Sequence, residues 1–284
     1  MDHSKRLSRY LQRIGVPSGP LPDVAGLGRI LQAHRHSIAF ENLDIFLGHP
    51  IRIDSDSVFD KLVQRGRGGY CFEQNRLLSD MLADLGFANR PLLARVRLGT
   101  QPDYTPPRTH LLLLVELDGE LWAADGGFGG SYVPPMPLQD GATAQSADGA
   151  QHRLCKIGAP GTLAGEWLLE RAGPIEATDG RGASHGEWQP QYSFDLAEVA
   201  TEDLEQANHW TSTRPDTRFT SLHIVSLPLP DGFAAMSDRR LSVWRDGESQ
   251  ARDITDAGDY AVVLEDVFGL ALTEEEIAAL PLFY

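Results

Sequence analysis

The sequence has two cysteines in 284 residues, no run of basic side chains, and no apolar stretch approaching the ~20 residues of a membrane-spanning helix. Each scarcity excludes something. Cys71 and Cys155 cannot build a disulfide framework, so the chain reads as a protein of a reducing compartment. Acidic residues outnumber Lys and Arg, 40 to 25, for a formal charge of −15. That balance argues against nucleic acid or an anionic membrane as the main partner. The N-terminal residues are polar and amphipathic rather than a signal-peptide core, and the expected location is cytoplasmic. No metal-ligand spacing stands out; His34 and His36 are expected at a solvated helix end. What is present, 42% apolar and 23% charged residues, is ordinary for a globular chain.

Leu7, Tyr10, Leu11 and Ile14 keep helical spacing up to Gly15, and Leu27, Ile30 and Leu31 do so again after a cap at Asp23. Ser55 or Asp56 is expected to cap a short helix carrying Val58, Phe59, Leu62 and Val63. From Pro91 the period changes. Strands are expected over 93–98, 109–117, 120–125, 154–157, 167–170, 222–227, 241–244 and 260–264. A Pro-rich break falls at 102–107, and surface loops are expected at 139–151 and 172–186. A short helix starts at Thr201, and Thr273 with Glu276 makes a capping box for the last one. The expected organisation is α+β in three units: helical over 1–88, β over 89–195, mixed over 196–284.

Within the first unit, Gly68 and Gly69 break the backbone just before Cys71. Leu78, Met81, Leu82 and Leu85 then give a helical stripe that Gly86 stops. Cys71 therefore opens a helix, where unpaired first-turn amides and the positive end of the dipole favour a thiolate. Taken alone, the residue also reads as a buried structural thiol; partners must decide. A hairpin supplies them. Asp118-Gly119 between two apolar runs sets a two-residue turn. Leu117 then faces Glu120 and Leu112 faces Asp125. His110 becomes the diagonal neighbour of Asp125 on one face, roughly 7 Å away between backbone positions. A one-residue slip would send the two to opposite faces. Glycines at 126, 127, 129 and 130 follow, either as a flexible loop or as backbone that brings amides to an anionic ligand. They lack the lysine of a P-loop and the spacing of a dinucleotide fold.

Cys71, His110 and Asp125, in that order, stand within Arg67-Gly-Gly-Tyr-Cys-Phe-Glu-Gln-Asn75, an apolar strand, and Asp125-Gly-Gly-Phe-Gly-Gly130. With Phe40-Glu-Asn-Leu-Asp44, these segments resemble the arylamine N-acetyltransferases of bacterial type. The resemblance runs from Tyr10 to Leu270. It implies a helical bundle, a β-barrel and an α/β lid, the first two sharing the cysteine-protease and transglutaminase-like core. It also implies that acetyl-coenzyme A, a co-substrate rather than a resident cofactor, acylates Cys71, and that an arylamine or hydrazine takes the acetyl group. His110 is then the base and acid, and Asp125 orients it. Phe40, Phe128 and Phe219 are expected around the arylamine ring, with Thr109, Gly126, Gly127 and Ser212 on the coenzyme side. The cation that anchors its phosphates is not named by the sequence; Arg67 and Arg108 are nearby in the chain. Gly126 stands where the family more often has Val, and 211–219 matches the lid segment in outline. The same triad also suits a hydrolase, or a related amide synthase acting on a bound polyketide. The Cys-to-His interval, however, is much shorter than the ~130 residues of papain-like proteases. An interaction protein that had kept the fold would leave Cys71 inert.

Overall fold

Helices α1 (His3–Arg13), α2 (Val24–Ser37) and α5 (Cys71–Asp84) dominate the N-terminal part, with shorter α3 (Leu43–Phe46) and α4 (Ser55–Phe59) between them. The computed structural model describes residues 3–101, 103–181 and 187–283. The first two residues of the polar N-terminus, position 102 of the Pro-rich break and the end of the 172–186 segment therefore lie outside the description. Asp23 caps α2 by accepting from the Gly26 amide, as its position implies. The cap of α4 is Asp54, one residue before the expected Ser55 or Asp56, accepting from Ser57.

Strands β2 (Ala88–Val96), β3 (Arg108–Leu117), β4 (Glu120–Ala124), β5 (Met136–Pro137), β6 (Ala142–Gln145), β7 (Gln151–Lys156), β8 (Trp167–Ala172) and β9 (Gln189–Phe194) form one antiparallel sheet ordered β5-β4-β3-β2-β9-β8-β7-β6. Its two edges, β5 and β6, lie against each other, so the sheet curls into a nearly closed barrel. Residues 139–151, expected as loop, instead hold β6 and the turn into β7. The Asp148-Gly149 turn makes a second hairpin, with Gly149 at φ 80°.

The β3–β4 register is the one the Asp118-Gly119 turn implies: Leu117 opposes Glu120 and Leu113 opposes Ala124. Both turn residues are left-handed, at φ 51° and 81°. Side chains of β3 alternate accordingly. Leu113, Val115 and Leu117 pack on the helices with Leu78 and Met81, while Leu112 and Leu114 fill the barrel with Tyr192 and Phe128.

After α6 (Thr201–Thr213) and α7 (Arg218–Ser221) come β10 (Ile224–Leu229), β11 (Gly232–Ser237), β12 (Arg240–Arg245), β13 (Glu248–Asp253), α8 (Ala257–Phe268) and α9 (Glu274–Ala279). A two-residue strand from the N-terminal part, β1 (Phe40–Glu41), completes this second sheet by pairing with β10, Phe40 opposite Ser226. The architecture is α+β, helices packed on a barrel-like sheet and followed by an α/β layer. Residues 260–264 are helix, not strand. Tyr260, Val263, Leu264 and Phe268 share one buried face at helical spacing, Asp256 caps α8, and Gly269 ends it at φ 65°. None of the described helices is long and apolar enough to cross a membrane.

Candidate active site

Cys71 is the first residue of α5, and four side chains hold that helix end in place. Glu73 reaches back to the Tyr70 amide at 3.1 Å and takes Lys61 Nζ at 2.7 Å. Gln74 Nε2 donates to the carbonyls of Ile38, Ala39 and Gly69. Its Oε1 meets His34 Nε2 at 2.7 Å, and His34 Nδ1 meets the Tyr10 hydroxyl at 3.0 Å. His34 is therefore no solvated helix end. It is fully buried, and burial pushes its pKa down to about 3, so it stays a neutral bridge. Tyr70 donates to the side chain of Asn208, which ties α6 over the helix start. As at any helix start, the first-turn amides of α5 have no partner within the helix, and they carry the positive end of its dipole.

The Cys71 thiol, buried within the wall, donates to the Thr109 carbonyl at 3.7 Å. His110, next in the chain, contacts Asp125 through Nε2 at 2.6 Å, leaving the other ring nitrogen for Cys71, which also acts on the imidazole. Burial alone would lower the imidazole pKa. The Asp125 carboxylate, by charge and hydrogen bond, with Cys71 as a lesser partner, more than reverses this and pushes it up to about 10. Asp125 shows the mirror effect: burial favours its neutral form, but His110, the Gly127 amide and Asn75 hold it below the usual carboxylate range. Asn75, one helical turn after Cys71, donates to Asp125 Oδ1 at 3.1 Å and to the Leu111 carbonyl at 2.6 Å. It thereby docks hairpin and helix.

Cys71 and His110 open onto a cavity of about 250 Å³ whose wall includes Phe40, Phe128, Phe219, Thr109 and Gly127. The Phe40 and Phe219 ring centres are 5.9 Å apart; Phe128 meets His110 edge-on at 5.3 Å. Two residues expected on the coenzyme side lie elsewhere. Gly126 faces the helices, where an added Cβ would come 2.7 Å from Leu78. The Ser212 hydroxyl bonds back to the Asn208 carbonyl of its own helix at 2.9 Å, and its neighbours Trp210 and Thr211 line the cavity instead. Nor do the amides of Gly126 and Gly127 await an anion. They are taken by Asn75 Oδ1 at 2.8 Å and Asp125 Oδ1 at 2.9 Å. Arg67 is buried against Glu41 and Asp44 at 3.0 and 3.1 Å, and Arg108 pairs with Asp195.

The N-acetyltransferase family profile matches residues 23–277. The arylamine N-acetyltransferase of Escherichia coli is 33% identical over 271 residues, which cover 94% of this chain and 90% of that protein. The chain belongs to the arylamine N-acetyltransferases. The solved structure of the Salmonella typhimurium arylamine N-acetyltransferase superposes with a TM-score of 0.85 at 33% identity, covering 97% of both chains. That of the Mycobacterium marinum arylamine N-acetyltransferase in complex with CoA gives 0.85 at 29% identity, covering 98% of this chain and all of that one.

Within this arylamine N-acetyltransferase, two kinds of residue escaped sequence reasoning. Asn75 stands inside the cysteine segment, and its place one turn from Cys71 was the available signal. Asp179 and Arg181 reach the cavity from an irregular segment with no periodicity to read. Gly127 has its own reason to be glycine: a Cβ there would sit 2.8 Å from Cys71 Cα and 2.7 Å from Asn75 Nδ2. Gly127→Ala is expected to force hairpin and helix apart, costing about 1–3 kcal/mol in urea melts. At a displacement near 1 Å it also lowers kcat about 100-fold. Unchanged kcat would show that the contact does not set the alignment.

Proposed function

We propose that this chain acetylates arylamines, arylhydrazines and hydrazides with acetyl-coenzyme A by a ping-pong route through an acetyl-Cys71 thioester. The observation that carries the reading is the buried line from Cys71 through His110 to Asp125, opening on an aromatic cavity. His110 takes the thiol proton, and the ionised Asp125 keeps Nε2 protonated and favours the imidazolium. The thiolate attacks the acetyl carbonyl carbon, the tetrahedral intermediate forms beside the first-turn amides of α5, and the coenzyme leaves as its thiol with the proton from His110. An amine then attacks the thioester carbon. His110 accepts the amine proton as the carbon–sulfur bond breaks, and Cys71 is restored. A first-turn amide that stabilises the oxyanion contributes roughly 3 kcal/mol.

Phe40, Phe128 and Phe219 supply faces and edges for the acceptor ring. The relative solved in complex with CoA supports acetyl-coenzyme A as the donor. The low cysteine content supports a cytoplasmic setting.

Intact-protein mass spectrometry after mixing with acetyl-coenzyme A and no amine tests the reading. One added acetyl group, discharged by an arylamine, is the expected result, with parallel double-reciprocal plots in steady state. An unmodified protein that nevertheless turns over both substrates together would replace the ping-pong route with direct transfer.

A further inference from the structure

Two cations line the same cavity as Cys71. Arg218 opens α7 beside Phe219, and Arg181 follows the one-turn 3₁₀ helix Ile175–Ala177. Both guanidinium groups converge on a single carboxylate oxygen, Asp179 Oδ2, at 2.7 Å from Arg181 Nε and 3.2 Å from Arg218 Nη2. Asp179 is itself fixed, its amide donating to the Gly130 carbonyl at 3.0 Å within the turn that carries Phe128. Its side chain is 4% exposed, while each arginine keeps 26%.

Among the described residues lining the cavity, the only charged or titratable side chains besides these three are Cys71 and His110, and buried Asp125 balances His110. One carboxylate between two guanidiniums leaves a positive charge unbalanced, in a chain whose formal charge is −15. Burial and the neighbouring Arg181 both push the Arg218 pKa down, and Asp179 opposes them, as expected where the cations are under-neutralised.

We infer that Arg181 and Arg218 select acceptors carrying an anionic ring substituent, a carboxylate above all, on an arylamine whose amino group faces Cys71. The inference rests on the acetyltransferase reading of this site. The three phenylalanines hold the ring, and the guanidinium forks offer paired N–H donors in the geometry a carboxylate takes. The coenzyme's phosphates share that chemistry. They are separated from its thioester by the whole pantetheine arm, however, whereas a carboxylate para to an amine lies one ring away.

The test compares 4-aminobenzoate with the uncharged, similarly shaped 4-aminobenzamide in the wild type, Arg181→Gln, Arg218→Gln and Asp179→Asn. Acetyl-coenzyme A and the phosphate-free ester phenyl acetate serve as alternative donors. The wild-type kcat/KM is expected to favour the acid. Either arginine substitution lowers the acid-to-amide ratio about tenfold, the size of one partly exposed charge-assisted pair. Asp179→Asn, which removes the competing carboxylate, raises it.

Equal losses on both acceptors overturn the inference. So does a loss seen with acetyl-coenzyme A but not with phenyl acetate at an unchanged ratio, which would assign the arginines to coenzyme phosphates. Calorimetric binding of the same acid and amide to the unacetylated protein decides the charge question apart from any acyl transfer. Failure of Cys71 to acetylate is thus distinguishable from failure of the arginines to select.

Discussion

Cys71→Ala is expected to lower acetyl transfer about 10⁵–10⁶-fold and to abolish the acetyl adduct seen with acetyl-coenzyme A alone. The fold tolerates the change. The thiol is small and borders the cavity, so the cost in stability is about 1 kcal/mol, that of one buried methylene-sized group. Cys155 provides an internal control in the same molecule. Burial and the neighbouring Glu170, 3.4 Å from its sulfur, both raise its pKa. At neutral pH, iodoacetamide should therefore label Cys71 first in the wild type, and the variant should label slowly. Peptide mapping after partial alkylation reads this directly. An acetyl adduct that survives in Cys71→Ala would move the nucleophile elsewhere and remove the basis of the proposed reaction.

His110→Gln is expected to lower kcat about 10³–10⁴-fold, and Asp125→Asn about as much, because each breaks the proton path at a different atom. The diagnostic is the pH profile of Cys71 alkylation. With its pKa pushed up to about 10, the His110 imidazole keeps its proton across the neutral range and stands as a fixed cation beside Cys71, so the wild-type alkylation rate at neutral pH should exceed that of His110→Gln. In His110→Gln the rate should climb with pH, as for an unassisted thiol.

Stability carries the same signature with a definite sign. A histidine raised from its ordinary 6.5 contributes stability that is complete below about pH 6.5 and is lost as pH rises through about 10. Thermal melts of the wild type should fall across that window relative to His110→Gln. A flat difference between the two proteins would mean that the imidazolium–carboxylate pair is not formed in the resting enzyme.

The pairing of His110 with Asp125 was legible because a two-residue Asp-Gly turn permits only one register, and that register fixes which side chains share a face. Cys71 at a helix start was legible for a similar local reason: glycines before it and an apolar stripe after it. The helix at 257–268 was misread because Val262 and Val263 favour strands locally. Its burial at every third and fourth residue is a tertiary preference that overrides them. The glycine turn reads either as a flexible loop or as a close approach to a ligand, whereas the approach Gly127 makes is to Cys71 and Asn75. Whether an amide faces a ligand or an asparagine one helix away depends on docking, which no local pattern encodes. Arg181 and Asp179 were illegible for the same reason, arriving through irregular backbone. Position 182 and its neighbours to 186 lie outside the described residues.

The contact of Gly127 with Cys71, reinforced by Asn75, also has a consequence in time. Cys71 emerges first during synthesis, the β3–β4 hairpin some forty residues later, and Phe219 with Arg218 only near the end. Until the hairpin docks, the cysteine has neither base nor pocket, and the growing chain exposes no sulfur more reactive than any other. Acyl donors abundant enough to feed the finished enzyme therefore meet an unassisted thiol while the polypeptide is still being made, and premature acylation, which would place an acetyl group where hairpin and helix must close, is slow.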